Sequence, residues 1–401
     1  MREKLKEHCL VISGYAFKSS DLQEEGEIPV VKIGNISNGK NIVIDDDTQY
    51  VDSEFLSLDS KYHIRKGDIL ISLTGSHMNQ PNSMVGRSCR SYNDSEYLLN
   101  QRAGKVICYE GTDPDYIYYL LTTKAIKESI VNRAYGAANQ VNVSPSDVMG
   151  IKWDFHEFKE QKKIGHILSA YDQLIDVNTK RISALEKMAE QFYIGWFILY
   201  KYPGSENAKF IEQNPKSWIL KRSKKMYIPD NWHYGELKEL GEFIRGKNIT
   251  AAEMIEGEIP VISAGLQPSG YHNKANVYGD SLTISASGAN AGYLKYHLLD
   301  IWAADCSYYQ NAENLWFVYS SLRFLQPVIS NLQCGAAQPH VYPKHINRLQ
   351  ILIPDDDTIS AYCELVKPIF DEIRILQYKN EMLIKQRDMI LPRLMGRRLK
   401  V

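Results

Sequence analysis

Ile164, Leu168, Tyr171, Ile175, Asn178, Ile182, Leu185, Ala189, Phe192 and Trp196 follow one another at alternating intervals of four and three residues. That spacing is the a/d seam of a left-handed coiled coil, and it predicts one long helix over residues 158–200. A helix of about 40 residues rises roughly 60 Å at about 1.5 Å per residue. A seam that long needs a partner. The other stretch with the same rhythm is C-terminal: Ile359, Tyr362, Val366, Ile369, Ile373, Leu376, Asn380, Leu383, Arg387, Ile390 and Leu394. The two are read as an antiparallel coiled coil. In it Ile164, Leu168, Tyr171, Ile175, Ile182 and Leu185 pack with Ile369, Ile373, Leu376 and Leu383; the plainer alternative is two ordinary core helices of separate domains. Asn178 and Asn380 lie on the seams, where a polar residue either fixes register at some cost in stability or faces solvent where the coil splays. Pro368 should kink the second helix or mark its start, and Pro392 should fray its end.

The rest of the chain repeats. EGEIPV occurs at 25–30 and again at 256–261, and GAANQVNVSP at 136–145 is echoed by GAAQPHVYP at 335–343. Tyr171-Asp172 with Lys180 is matched by Phe370-Asp371 with Lys379. A repeat of about half the chain, ordered domain–helix–domain–helix, sets the architecture. The fold class is α/β (α+β): two globular domains separated by two long helices. The divisions are 1–157 for the first domain, 158–200 for the central helix, 201–355 for a connector with the second domain, and 356–401 for the C-terminal helix.

Within the first domain, PVVKIGNI, DILISLTG and GKVICYE read as strands between Gly, Asn and Asp clusters. PDYIYYLLTTKAIKESIVNRA reads as one amphipathic helix, with Asp113 as cap and Pro114 in its first turn. Residues 198–235 read as a connector without periodicity. In the second domain IPVISAG, SLTISASG, NLWFVYS and RLQILIP read as strands.

Composition narrows the function. With 47 Lys+Arg against 48 Asp+Glu, the net charge of −1 excludes a polybasic nucleic-acid binder, so any such affinity must come from local patches or partners. The six cysteines show no CxxC pair, which fits reduced thiols in a cytoplasm and argues against structural zinc. No apolar run reaches the roughly 18 residues of a membrane span, so no membrane association is expected. The ten histidines show neither HxH nor HExxH spacing. Gly241–Asn248 misses a phosphate-binding loop by one residue, having Asn where Ser or Thr belongs. Asp230 with Glu236 and Lys238 matches a nuclease pattern only as charged surface residues do. No NPPY- or DPPY-type run is present to hold a flipped adenine. The sequence requires no cofactor or metal and supplies no catalytic residue.

The sequence resembles the specificity subunit of type I restriction–modification systems along essentially its whole length. FKSSDLQEEGEIPVVKIGNI is similar to the opening of that family's target-recognition domains, and GDILISLTGS to its central strand. GAANQVNVSPSDV is similar to its loop before the exit strand. EFKEQKKIGHILSAYDQLIDVNTKRISALEKM is similar to its helical region, echoed by KNEMLIKQRDMILPRLMGRRL. The chain departs from the pattern in two places. The first half lacks a lead-in like Ile228-Pro229-Asp230-Asn231-Trp232, and the second helical region lacks the Glu160-Gln161 pair.

The resemblance implies a subunit without catalysis of its own. Its two target-recognition domains would each read half of a split site on double-stranded DNA, and the helix pair would set their spacing. The helices would also dock methyltransferase (modification) subunits, expected to be two, and through them the restriction/translocase subunits. The alternatives are a specificity domain of another multi-subunit DNA methyltransferase or phage-defence system, and a stand-alone DNA-binding regulator. Base readout needs forked donors and acceptors, and these gather in the expected loops. In the first domain they are Ser76, His77, Asn79, Gln80 and Asn82, then Arg87 and Arg90, Arg102 beside Asn100 and Gln101, and Asn139 and Gln140. In the second they are Arg245, Lys247 and Asn248, Asn290 and Tyr293, Gln310 beside Tyr308, Tyr309 and Asn311, and Gln338 and His340. Each of these residue types also serves simply to make turns.

Overall fold

The computed structural model describes residues 2–36, 41–75, 85–92, 94–137, 140–213, 226–332 and 339–401, the side chains of Ala137 and Gln140 excepted. It divides into two compact units: Met1–Asp176 with Asn380–Val401, and Val177–Lys379. Each long helix contributes one part to each unit.

In the first unit an antiparallel sheet runs in the order Cys9–Ser13, Ala103–Cys108, Ile69–Ser72, Ser88–Arg90. Ile69–Ser72 is buried along its whole length, which is why it reads as a continuous apolar run instead of an alternation. A second sheet, ordered Gln49–Val51, Ile28–Val31, Tyr97–Leu99, His63–Ile64, holds the first EGEIPV copy. Its Ile28–Val31 strand lies antiparallel to Gln49–Val51 and parallel to Tyr97–Leu99.

The second unit repeats this plan. Its four-stranded sheet runs Ile244–Arg245, Cys306–Tyr309, Ser281–Ser285, Leu294–His297. The second EGEIPV copy, as Ile259–Ile262, lies antiparallel to Gly270–His272 and parallel to Trp302–Ala303. The glycine of each copy has the same cause. A Cβ on Gly26 would sit 2.7 Å from the Tyr50 Cβ, and one on Gly257 would sit 2.4 Å from the Asn273 Cα. Only glycine lets the backbone pass so close.

Three readings need correction. PDYIYYLLTTKAIKESIVNRA is two helices, Pro114–Thr122 and Lys124–Val131, divided at Thr123. The Thr122 and Thr123 hydroxyls donate back to the Tyr119 and Leu120 carbonyls at 2.8 and 2.7 Å, and Thr123 also caps the second helix. NLWFVYS is no strand but the start of a helix, Leu315–Phe324, buried on nearly every face. A short apolar run has the same composition in either form. The supposedly featureless connector contains an antiparallel pair, Phe210–Gln213 with Met226–Pro229. The C-terminal helix is Asp356–Met395, so Pro368 lies within it and does not mark its start, and the helix ends three residues beyond Pro392. Pro368 and Glu364, whose carbonyl loses its donor, are both on the exposed face, where water can satisfy it.

The central helix spans Phe158–Tyr193 and ends in a wider π-type turn, Ile194–Ile198. Burial along both helices follows the seam. Ile164 and Leu168 are buried, whereas Leu174 and Val177, off the seam, are 53% and 58% exposed. In the first unit Ile164 and Leu168 share a core with Leu394 and Met395, and Arg387 pairs with Asp172. In the second unit Ala189, Tyr193 and Phe197 share a core with Ile359, Tyr362 and Val366, and Arg181 bridges Glu372 at 2.9 Å. Within each unit, then, the helical segments run antiparallel.

The start of each long helix is tied to its own domain. Gln161, 2% exposed, donates to the His156 carbonyl at 2.8 Å and accepts from the Asp113 N–H at 3.1 Å. The glutamine of the Glu160-Gln161 pair is therefore an internal strut. Asp355 caps the second helix through Thr358 and accepts the Trp232 indole N–H at 3.1 Å.

Candidate nucleic-acid interface

In the first unit a small sheet is formed by strands that flank two of the expected loops. Thr74–Gly75 pairs with Gln140–Asn142, which pairs in turn with Tyr135–Ala137. The register places Gly75 opposite Val141 and Gly136 opposite Val141. Ser76, His77, Asn79, Gln80, Asn82 and Asn139 lie outside the described residues, as does the Gln140 side chain. At the foot of this sheet the Thr74 hydroxyl donates to Asn142 Oδ1 at 2.9 Å.

The second unit builds the same frame, visible as matched backbone hydrogen bonds. Leu73 N–H donates to the Arg102 carbonyl at 3.0 Å, and Ala286 N–H to the Asp305 carbonyl at 3.3 Å. Val143 N–H donates to the Leu73 carbonyl, and Val341 N–H to the Ala286 carbonyl, both at 2.9 Å. Gly14 N–H donates to the Ala103 carbonyl at 3.1 Å, and Gly246 N–H to the Cys306 carbonyl at 2.8 Å. Thr74 thus corresponds to Ser287, Asn142 to His340, Arg102 to Asp305, and Ser13 to Arg245. Ser287 and His340 form a bridge in the second unit.

The side chains on this common frame differ. In the first domain Arg102 is exposed, and its charge, added to burial, holds the nearby Lys32 ammonium below the usual lysine pKa. In the second, Asp305 accepts from both Arg245 and the Ser287 hydroxyl. His340 stacks on Tyr342, with ring centroids 5.9 Å apart, and Lys344 lies over the other ring at 5.7 Å.

The remaining candidates separate by exposure. Lys247, Asn248 and Gln310 are exposed, and Tyr293 is 42% exposed. Gln310 donates to the Tyr278 carbonyl, and the Asn290 carbonyl accepts from Tyr293 N–H in a turn. Arg87 is half-buried. Arg90 is occupied internally: its guanidinium pairs with Asp115 and lies 5.1 Å from the Tyr118 ring centre. Tyr309 is a core residue, its hydroxyl donating to the Leu240 carbonyl at 2.9 Å. Gln338 lies outside the described residues. The sequence reading missed Thr74, Asn142, Ser287 and Asp305. Aligning the two GAA-copies backward from their shared proline, and not forward from their glycine, would have set Asn142 against His340. Among the described residues no group of three or more His, Cys, Asp or Glu could hold a metal ion. No described helix is long and apolar enough to cross a membrane.

The sequence profile of a family described as "Type I restriction modification DNA specificity domain" matches residues 2–187 and 229–383. The specificity subunit of the type I restriction enzyme MjaIX from Methanocaldococcus jannaschii is 27% identical over 319 residues, 75% of this chain and 73% of that protein. The MjaVIII specificity subunit of the same organism is 22% identical over 378 residues, 87% of this chain and 83% of that one. The crystal structure of a type I restriction–modification S subunit from M. genitalium superposes with a TM-score of 0.57 at 18% identity, covering 98% of this chain and 95% of that one. At that identity the likeness concerns the fold.

Proposed function

The chain belongs to the type I restriction–modification DNA specificity family, and on that premise we propose that it is the non-catalytic recognition subunit of such a complex. Each globular domain reads one half of a bipartite site on double-stranded DNA. The long helices pair as an antiparallel coiled coil, set the distance between the half-sites, and dock two methyltransferase subunits. The restriction/translocase subunits attach through these.

The observation that supports this reading best is the shared frame with unlike side chains. Two backbones that share the three hydrogen bonds above carry Arg102 and Asn142 in one domain, Asp305, Arg245 and His340 in the other. A scaffold has no use for such divergence at exposed and half-buried positions of one frame, whereas two readers of different half-sites require it. With a net charge of −1, the chain relies on the modification subunits for much of the phosphate grip.

The test is methylome sequencing of cells carrying the modification subunit with this gene, without it, and with residues 1–157 replaced by the matching domain of a relative. The reading requires a bipartite methylated motif that depends on the gene and changes in one half on replacement. A motif unchanged by loss of the gene, or altered in both halves, would overturn it.

A further inference from the structure

Arg245 is a donor held in direction by its neighbours in the second domain. It ends the short strand Ile244–Arg245, opposite Ser307, and its side chain is 40% exposed. Asp305 holds it: Oδ1 accepts from Arg245 Nη2, while Oδ2 accepts from the Ser287 hydroxyl. A carboxylate engaged on both oxygens cannot rotate freely, so the guanidinium it holds is fixed in direction. One guanidinium nitrogen is committed to Asp305, and the fork retains further N–H donors. A planar fork with spare donors matches the O6 and N7 acceptors of guanine in the major groove.

The matched position in the first domain inverts this chemistry. Arg102 stands where Asp305 stands, and Ser13 where Arg245 stands, on the same backbone hydrogen bonds. If the Arg245–Asp305 pair served only to hold the frame together, the first domain would need a substitute for it. It has none at these positions, and the frame is nonetheless formed. The pair is therefore free to serve recognition.

We infer that Arg245 reads a guanine in the half-site of the second domain, with Asp305 and Ser287 as the positioning residues that aim it. This rests on the proposed recognition function. It adds the base, the donor, and a difference between the two half-sites: at the matched positions of the first domain Ser13, Arg102 and Thr74 stand in place of Arg245, Asp305 and Ser287.

The test uses the assembled modification complex, with its methyltransferase subunits, acting on a plasmid library randomised across both half-sites. Wild type is compared with R245A, R245K, D305N and the R245A/D305N double variant, and preference is read at every position. Loss of one bidentate pair lowers preference for its base by about tenfold. R245A should relax one G·C position in the half-site that replacement of the second domain alters, leaving the other half intact. R245K, which keeps the charge and loses the fork, should relax the same position. D305N should do so too, with no further loss in the double variant. Full preference retained in R245A or R245K overturns the inference. So does a uniform fall in methylation with unchanged preference, the mark of a phosphate contact. Wild type that methylates no bipartite motif refutes the recognition function itself, which separates the two failures.

Discussion

Asp172 Oδ2 accepts the Tyr119 hydroxyl at 2.6 Å, and its Oδ1 takes the Arg387 guanidinium. One carboxylate on the central helix thus ties a helix of the first domain to the C-terminal helix. Its side chain is only 12% exposed and that of Arg387 19%, so the pair is largely removed from water. Removing Asp172 leaves the mostly buried Arg387 with only the exposed Asp388 as its partner and takes away the acceptor of the Tyr119 hydroxyl. Asp172→Ala should destabilise the first unit by about 3 kcal/mol, measured by denaturant unfolding. Arg181→Ala, which breaks a bridge whose arginine is 60% exposed, should cost less than about 1 kcal/mol.

His297 gives the second domain a pH dependence. Its Nε2 lies 2.8 Å from the Thr283 hydroxyl, and burial, with Lys295 adding to it, pushes its pKa down to about 3. The folded protein therefore keeps His297 neutral where the unfolded chain, titrating near 6.5, takes up a proton. Its contribution is whole above about pH 6.5 and is lost as the pH falls toward 3. Between pH 7 and 5, wild type should lose about 2 kcal/mol more stability than His297→Gln. Equal losses in the two proteins, followed by chemical denaturation at each pH, would contradict this.

Gly257 is tested by a single methyl group. Its Cβ would fall 2.4 Å from the Asn273 Cα and 2.4 Å from the His272 carbonyl oxygen, and backbone cannot give way as a side-chain tip can. Gly257→Ala should destabilise the second domain by about 1–3 kcal/mol, lowering its thermal midpoint. Gly111→Ala meets no neighbour within 4 Å, but its φ of +85° strains the alanine, so the cost there is about 1 kcal/mol.

Much of this architecture was legible because it is written twice. The seam from Ile164 to Trp196 marked positions that are buried or half-buried along the helix, since a period of 3.5 admits few other readings. NLWFVYS failed because a helix buried on all sides has no polar face to give the period away. The Thr123 break was hidden because threonine can continue a helix or cap one, and its hydroxyl decides only in three dimensions. At the interface, residue type alone could not show that Arg90 pairs with Asp115, 25 positions away. The Arg245–Asp305–Ser287 arrangement joins residues from three separate strands and loops. Composition carries no trace of such a meeting.

The most direct test of the account is the length of the helix pair. Seven residues inserted into the middle of both long helices preserve the seam and add roughly 10 Å at about 1.5 Å per residue. At about 3.4 Å per base pair that is about three base pairs of DNA. Methylome sequencing of cells carrying the lengthened chain and the modification subunit should show both half-sites unchanged and the unread spacer longer by about three base pairs. Active complex that still methylates the original spacing would contradict the account, leaving the long helices as docking surfaces that measure nothing.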